Sequence, residues 1–176
     1  MRIPRITWAA YGFALTIIVL DQLTKAWVLT RLGTTDLSLI PNGFPLADVW
    51  PPYFRLTYLL NDGVSFGLLG GGAGRWLLSI FSVGVAGLLA WWATRADRRL
   101  LITAIGLVMG GALGNVIDRV RFGGVVDFLD FSGTGVFPWV FNIADSAITI
   151  GVILLILDAF LSERQGREVG LANEKS

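Results

Sequence analysis

Four stretches of this sequence, about residues 6–29, 76–94, 100–117 and 140–161, are apolar over lengths that leave a chain few choices. A bilayer's hydrocarbon core is about 30 Å thick, and a helix crosses it with roughly 20 such residues. Backbone N–H and C=O groups in hydrocarbon must be satisfied within their own segment, which selects helices. The expected fold is therefore an all-α membrane protein with four transmembrane helices. Residues 1–176 form one integral membrane domain, with a disordered tail over 162–176. Composition agrees, with 54% hydrophobic and 15% charged residues, against roughly a quarter charged in soluble domains. The first stretch contains Asp21 and Lys25 and lacks a small-residue cleavage site behind a short apolar core, so it reads as a retained helix.

Arginine placement orients the spans. Arg2 and Arg5 precede the first, Arg95, Arg98 and Arg99 crowd the connection between the second and third, and Arg164, Arg167 and Lys175 follow the fourth. The positive-inside bias puts both termini and that connection in the cytoplasm. Trp8, Tyr11, Trp91 and Trp92 then fall at the inner interface, and Trp27, Trp76 and Trp139 at the outer one.

Two segments remain outside. Residues 30–75 include "YFRLTYLLNDGVSFG", β-branched and aromatic enough for a small β-rich region, with a turn at Asn61-Asp62-Gly63. Residues 118–139 are too charged and glycine-rich to span, and Val125–Phe131 reads as an amphipathic surface segment between the third and fourth helices.

Net charge is +1, so nothing suggests a nucleic-acid partner. Without cysteine or histidine the chain has no thiol nucleophile, no Ser-His triad and no His or Cys metal ligand, and no metal or cofactor is expected. Chemistry must come from carboxylates, amides, hydroxyls, Lys and Arg.

The polar residues within the spans share one depth. At 1.5 Å per residue, Asp21 and Asn115 each lie roughly 22 Å from the cytoplasmic start of their spans, and Asp145 about 24 Å up from Leu161. Simpler readings exist for most of them. Asp21 and Lys25 are four apart and can pair. Asn115 and Asn142 can bridge helices, and Gly106, Gly110 and Gly114 suit close packing. Asp118-Arg119 can form an interfacial salt bridge, and Asp158 reads as interfacial.

Asp145 resists such a reading, because a carboxylate in hydrocarbon costs about 2.5–3.5 kcal/mol and no basic residue is its obvious partner in sequence. Asp127 is the best candidate to meet it. Asp118 is the alternative, but an adjacent Arg119 should hold it in a salt bridge. Two close carboxylates do not both ionise easily, so one keeps a proton. Such a pair can hydrolyse a peptide bond without a covalent intermediate. A small proton-coupled transporter is the rival from another class, although its acids tend to lie at the midplane between inverted repeats. A structural subunit with polar contacts between helices is the third reading.

The motifs "DQLTK" at 21–25, "NDGVSFG" at 61–67, "GGALGNVIDRVRFGGVVDFLDF" at 110–131 and "FNIADSAI" at 141–148 make the chain, up to about residue 160, resemble the lipoprotein signal peptidases (signal peptidase II). The resemblance implies an aspartic endopeptidase of the bacterial inner membrane. It would cleave prolipoproteins on the N-terminal side of a diacylglyceryl-modified cysteine. It would work at the extracytoplasmic side amid membrane lipid, and would be inhibited by the cyclic peptide globomycin. It implies Asp127 and Asp145 as the catalytic pair and support from Asp21, Lys25, Asn61, Gly63, Asn115, Asp118, Arg119 and Asn142. The loop from Asn61 to Gly67 would cover the substrate, and the glycine-rich face of the third span would offer grooves for its acyl chains. Val64-Ser65 stand where small alanines are common in the family, and "PNGFPLADVWPP" makes the first loop long.

Overall fold

The computed structural model describes residues 5–34, 36–63 and 72–173. Its elements in chain order are α1 (Thr7–Thr30), β1 (Phe44–Trp50), β2 (Phe54–Asn61), α2 (Ala73–Ala93), α3 (Arg99–Phe122), β3 (Val125–Asp130), β4 (Val140–Phe141) and α4 (Ile143–Asn173). All four helices are long and apolar enough to cross a membrane. Lipid-type side chains such as Leu23, Ile80, Phe81, Ile153 and Phe160 point outward. The backbone of α4 continues as helix to Asn173, into the tail expected to be disordered.

Helix α3 is the centre of the bundle, and it packs on each of the other three while α2 and α4 scarcely meet. Between helices in lipid there is little hydrophobic driving force, so close backbone approach and polar contacts supply the association. Here glycine allows that approach. A Cβ on Gly106 or Gly110 would stand 2.7 Å from the carbonyl oxygen of Ala10 or Ala14, and one on Gly114 would stand 2.9 Å from Asp21 Oδ2. The glycine-rich face is thus filled by α1 and offers no acyl-chain groove, contrary to the expectation from sequence. Thr7 Oγ1 and Tyr11 Oη donate to the carbonyls of Ala93 and Ala90, tying α1 to the end of α2. Asp158 is buried and paired with Arg98 at 2.7 Å.

The part outside the helices is more ordered than a β-rich loop and a surface segment. Four antiparallel strands form one sheet in the order β1-β2-β3-β4, so the β-rich region expected after the first helix is joined by strands from the segment between the third and fourth. Residues 125–130, expected at the membrane surface, form an inner strand that is buried almost throughout. Gly123 makes the turn into it. Its φ of +81° caps α3 in the left-handed region, with its N–H on Arg119 O at 3.2 Å. A second small core of Val28, Leu32, Tyr58, Val126 and Phe128 seats the sheet on the C-terminal end of α1. Stacked rings of Phe54, Phe131 and Phe141 carry the packing across to β4.

On β2 and β3, Asp130 accepts from Arg55 Nε at 2.6 Å, Thr57 Oγ1 at 2.7 Å and Ser132 N at 2.9 Å. Burial pushes its carboxyl up, but these donors outweigh it and hold Asp130 below the ordinary carboxylate range. That cross-strand clamp fixes the strand that carries Asp127.

Candidate active site

Asn142 begins α4 as its N-cap. Its Oδ1 accepts the N–H of Asp145 at 2.8 Å, and Asp145 Oδ2 accepts the N–H of Asn142 at 3.3 Å. This is a reciprocal capping box, readable as Asn-x-x-Asp, which satisfies two backbone donors that a helix start leaves open. The Asn142 amide is then free to point at β3, where Nδ2 donates to Asp127 Oδ1 at 2.7 Å. Asp127 Oδ2 accepts from Asn61 Nδ2 at 3.0 Å, and Asp145 Oδ1 from Asn115 Nδ2 at 2.8 Å. One asparagine therefore touches both carboxylates, and two more complete their coordination.

Behind them lies a buried ion triad. Lys25 Nζ stands 2.8 Å from Asp21 Oδ2 and 2.8 Å from Asp118 Oδ2. It also donates to Asn115 Oδ1 at 3.2 Å. Each of its carboxylates holds the backbone N–H just before one of the paired aspartates: Asp21 takes that of Ala144 at 3.0 Å, and Asp118 that of Val126 at 3.0 Å. Lys25 thus connects the supports of Asp145 and Asp127.

Asp127 is fully buried on a strand, while Asp145 is half-exposed. Burial, and after it the charge of Asp145, pushes the Asp127 carboxyl up to about 7, against the Asn61 and Asn142 hydrogen bonds and the charge of Lys25. Asp127 therefore keeps its proton well above the ordinary carboxylate range and releases it only around neutrality. Among the described residues no three carboxylates gather as a metal site.

The model of the signal peptidase (SPase) II family matches residues 13–161. The chain belongs to the signal peptidase II family. It is 49% identical over 165 residues to the lipoprotein signal peptidase of Caulobacter vibrioides, covering 93% of each chain. To that of Shewanella loihica it is 44% identical over 161 residues, covering 88% of each. A solved bacterial membrane enzyme superposes with a TM-score of 0.70 at 32% identity, over 85% of this chain and 91% of that one.

For a signal peptidase II, most residues expected from sequence come together: Asp127, Asp145, Asn61, Asn115, Asn142, Asp21, Lys25 and Asp118 form one connected network. Arg119 departs from the expectation. Asp118 pairs with Lys25, not with its neighbour in sequence. Arg119 instead lines a groove with Asp145. Gly63 adopts φ +71°, its N–H on Asn61 Oδ1, and a Cβ there would stand 2.7 Å from Leu78 on α2. Residues 64–67 of the expected covering loop lie outside the described residues.

Gln22 was missed. Its Nε2 donates to Asp118 Oδ1 at 2.8 Å, and the only signal in the sequence was a second polar residue beside Asp21 in an apolar span.

Asp145 is shared by two grooves. One, of about 300 Å³, runs between α2 and α4 along α3 and is lined by Phe81, Val85, Val108, Ala112 and Ile148. The other, of about 290 Å³, lies across α4 against Phe137, Phe141, Thr149 and Ile150. A wider groove of about 740 Å³ at the C-terminal ends of α1 and α3 reaches neither aspartate.

Proposed function

We propose that this chain removes signal peptides from bacterial prolipoproteins, cutting on the N-terminal side of the diacylglyceryl-modified cysteine, with Asp127 and Asp145 as the catalytic pair. The observation that carries the assignment is the shared Asn142, bonded to both carboxylates at the end of an apolar bundle. Family membership supports the substrate and the aspartic mechanism.

Asp127, holding a proton near neutrality, acts as the acid, and Asp145 as the base. Asp145 takes a proton from water as the water oxygen bonds to the scissile carbonyl carbon, and Asp127 gives its proton to the carbonyl oxygen. The resulting gem-diol collapses as the C–N bond breaks. The proton held by Asp145 passes to the leaving amine, and Asp127 recovers one from the diol. The products are a free carboxyl on the signal peptide and a free amine on the lipidated cysteine.

Asn61, Gly63, Asn115, Asp118, Arg119, Asn142, Asp21 and Lys25 position this pair and the substrate. Both termini are cytoplasmic and the sheet is extracytoplasmic, as the arginines beside the α2–α3 connection support, in a bacterial inner membrane. The two grooves meeting at Asp145 suit a substrate with a signal-peptide helix on one side and acyl chains on the other, both already in lipid. Globomycin would compete there.

The test uses the purified full-length chain in detergent with a lipidated prolipoprotein peptide. Mass spectrometry should find the new amino-terminal lipidated cysteine, and globomycin should suppress it. An intact peptide after prolonged incubation would overturn the proposal.

A further inference from the structure

Among the described residues, Gln22 occupies a place in the network that no other duplicates. Its Nε2 donates to Asp118 Oδ1 at 2.8 Å, and it lies 3.2 Å from Asp21 Oδ2 and 3.3 Å from Gly114 O. Its Oε1 accepts from Arg121 Nη1 at 3.3 Å. A guanidinium only donates, so Arg121 fixes which end of the amide faces the carboxylates. Three of the four carboxylate oxygens on Asp21 and Asp118 have other donors. Asp21 Oδ1 takes Ala144 N–H, Asp21 Oδ2 takes Lys25, and Asp118 Oδ2 takes Lys25 and Val126 N–H. Among the described residues, the fourth, Asp118 Oδ1, takes Gln22 alone.

We propose that Gln22 is a positioning residue: its amide holds Asp118 turned so that Oδ2 keeps the Val126 N–H, which fixes β3 where Asp127 meets Asn142. The inference rests on the assignment of Asp127 and Asp145 as the catalytic pair. Asp118 is fully buried, and a buried carboxylate oxygen without a donor is costly. Removing the amide makes Asp118 rotate to recover a partner, and rotation draws Oδ2 off Val126. The next residue along the strand is Asp127. A displacement of about 1 Å at a reacting group costs up to about 100-fold in rate. The effect falls on the chemical step, because Gln22 lines neither groove at Asp145.

The experiment compares the full-length parent with Gln22→Met, which keeps the shape without the amide, and Gln22→Glu, which turns acceptors toward acceptors. Cleavage of a lipidated precursor peptide is followed in detergent, and hydrogen exchange is read at the amides of Val126 and Ala144. The expected result for Gln22→Met is a kcat lowered about 10- to 100-fold with KM within about twofold. Exchange should accelerate at Val126 and stay unchanged at Ala144, whose acceptor Asp21 keeps Lys25. Gln22→Glu should lose at least as much kcat.

A residue that merely joins α1 to α3 would lower the melting temperature and leave kcat of the folded enzyme at the parental value. That result, or unchanged exchange at Val126, overturns the inference. Asp127→Asn in the same assay separates the two failures. If it retains turnover, the catalytic assignment is wrong. If it is inactive while Gln22→Met turns over like the parent, only the role of Gln22 is wrong.

Discussion

Asn142 donates to Asp127 across 2.7 Å, while its own Oδ1 and backbone N–H are committed to Asp145. The relative placement of the two carboxylates is thus set by a residue that also starts α4. Capping and the proposed catalysis draw on the same atoms, so the pair cannot move apart without opening the first turn of the helix.

Replacing either aspartate by asparagine removes the proton exchange and preserves the shape. Asp127→Asn and Asp145→Asn should each abolish nearly all turnover, and the double variant should be little worse than either, because the two act as one unit. Steady-state cleavage rates of the three variants decide it. Substantial activity in Asp127→Asn beside an inactive Asp118→Asn would falsify the assignment.

The raised Asp127 carboxyl also predicts how stability responds to pH. Its neutral form is favoured in the fold, with a value of about 7 against an ordinary 3.8. Between those values the unfolded chain has released a proton that the folded chain retains, so stability falls as pH rises through the window. Asp127→Asn carries no such proton. The parent's melting temperature should therefore fall more steeply than the variant's between about pH 4 and about pH 7. The same titration should give kcat an alkaline limb near pH 7, where the acid loses its proton. Parallel melting curves would refute the buried, protonated carboxyl.

In the proposed mechanism Asp21 supports the site without touching the reacting bond. Asp21→Ala removes the acceptor of Ala144 N–H and one of the two carboxylates on Lys25. Losing one partner of a buried pair costs about 3–5 kcal/mol. Lys25 keeps Asp118, so the loss should sit at the low end of that range. Thermal melts beside kinetics should show a lower melting temperature together with a partial loss of rate. An Asp21→Ala that melts like the parent yet is as inactive as Asp145→Asn would place Asp21 in the chemistry.

The spans were legible because hydrocarbon imposes a local rule of about 20 apolar residues, and Asp145 stood out because it broke that rule. The capping box of Asn142 and Asp145 is equally local, yet from the sequence Asn142 reads only as a bridge between helices. Residues 125–130 were misread because an isolated run of Val, Asp, Phe and Leu does not reveal that it lies between β2 and β4. Strand pairing between residues far apart in sequence, as between Leu59 and Asp127, leaves no periodic trace. Lys25 has its i,i+4 partner in plain view at Asp21, but Asp118 on α3 reaches it only through the packing of α1 on Gly114. For the same reason Arg119 was assigned to its neighbour Asp118, although the two point to different sides of the helix.

The lipid on the substrate should act on the rate of cleavage more than on binding. Burying acyl chains is worth about 0.8 kcal/mol per CH₂ from water, but a membrane-embedded precursor already has its chains in hydrocarbon. Moving them from bilayer to groove transfers little free energy. What the grooves on either side of Asp145 can do is stop the peptide from sliding, so that the bond before the cysteine stays at the carboxylates. Lipidated and unlipidated precursor peptides, each saturating in the same detergent, should therefore differ in kcat, with the unlipidated one slower. Equal turnover at saturation would mean that the register is set by the peptide alone.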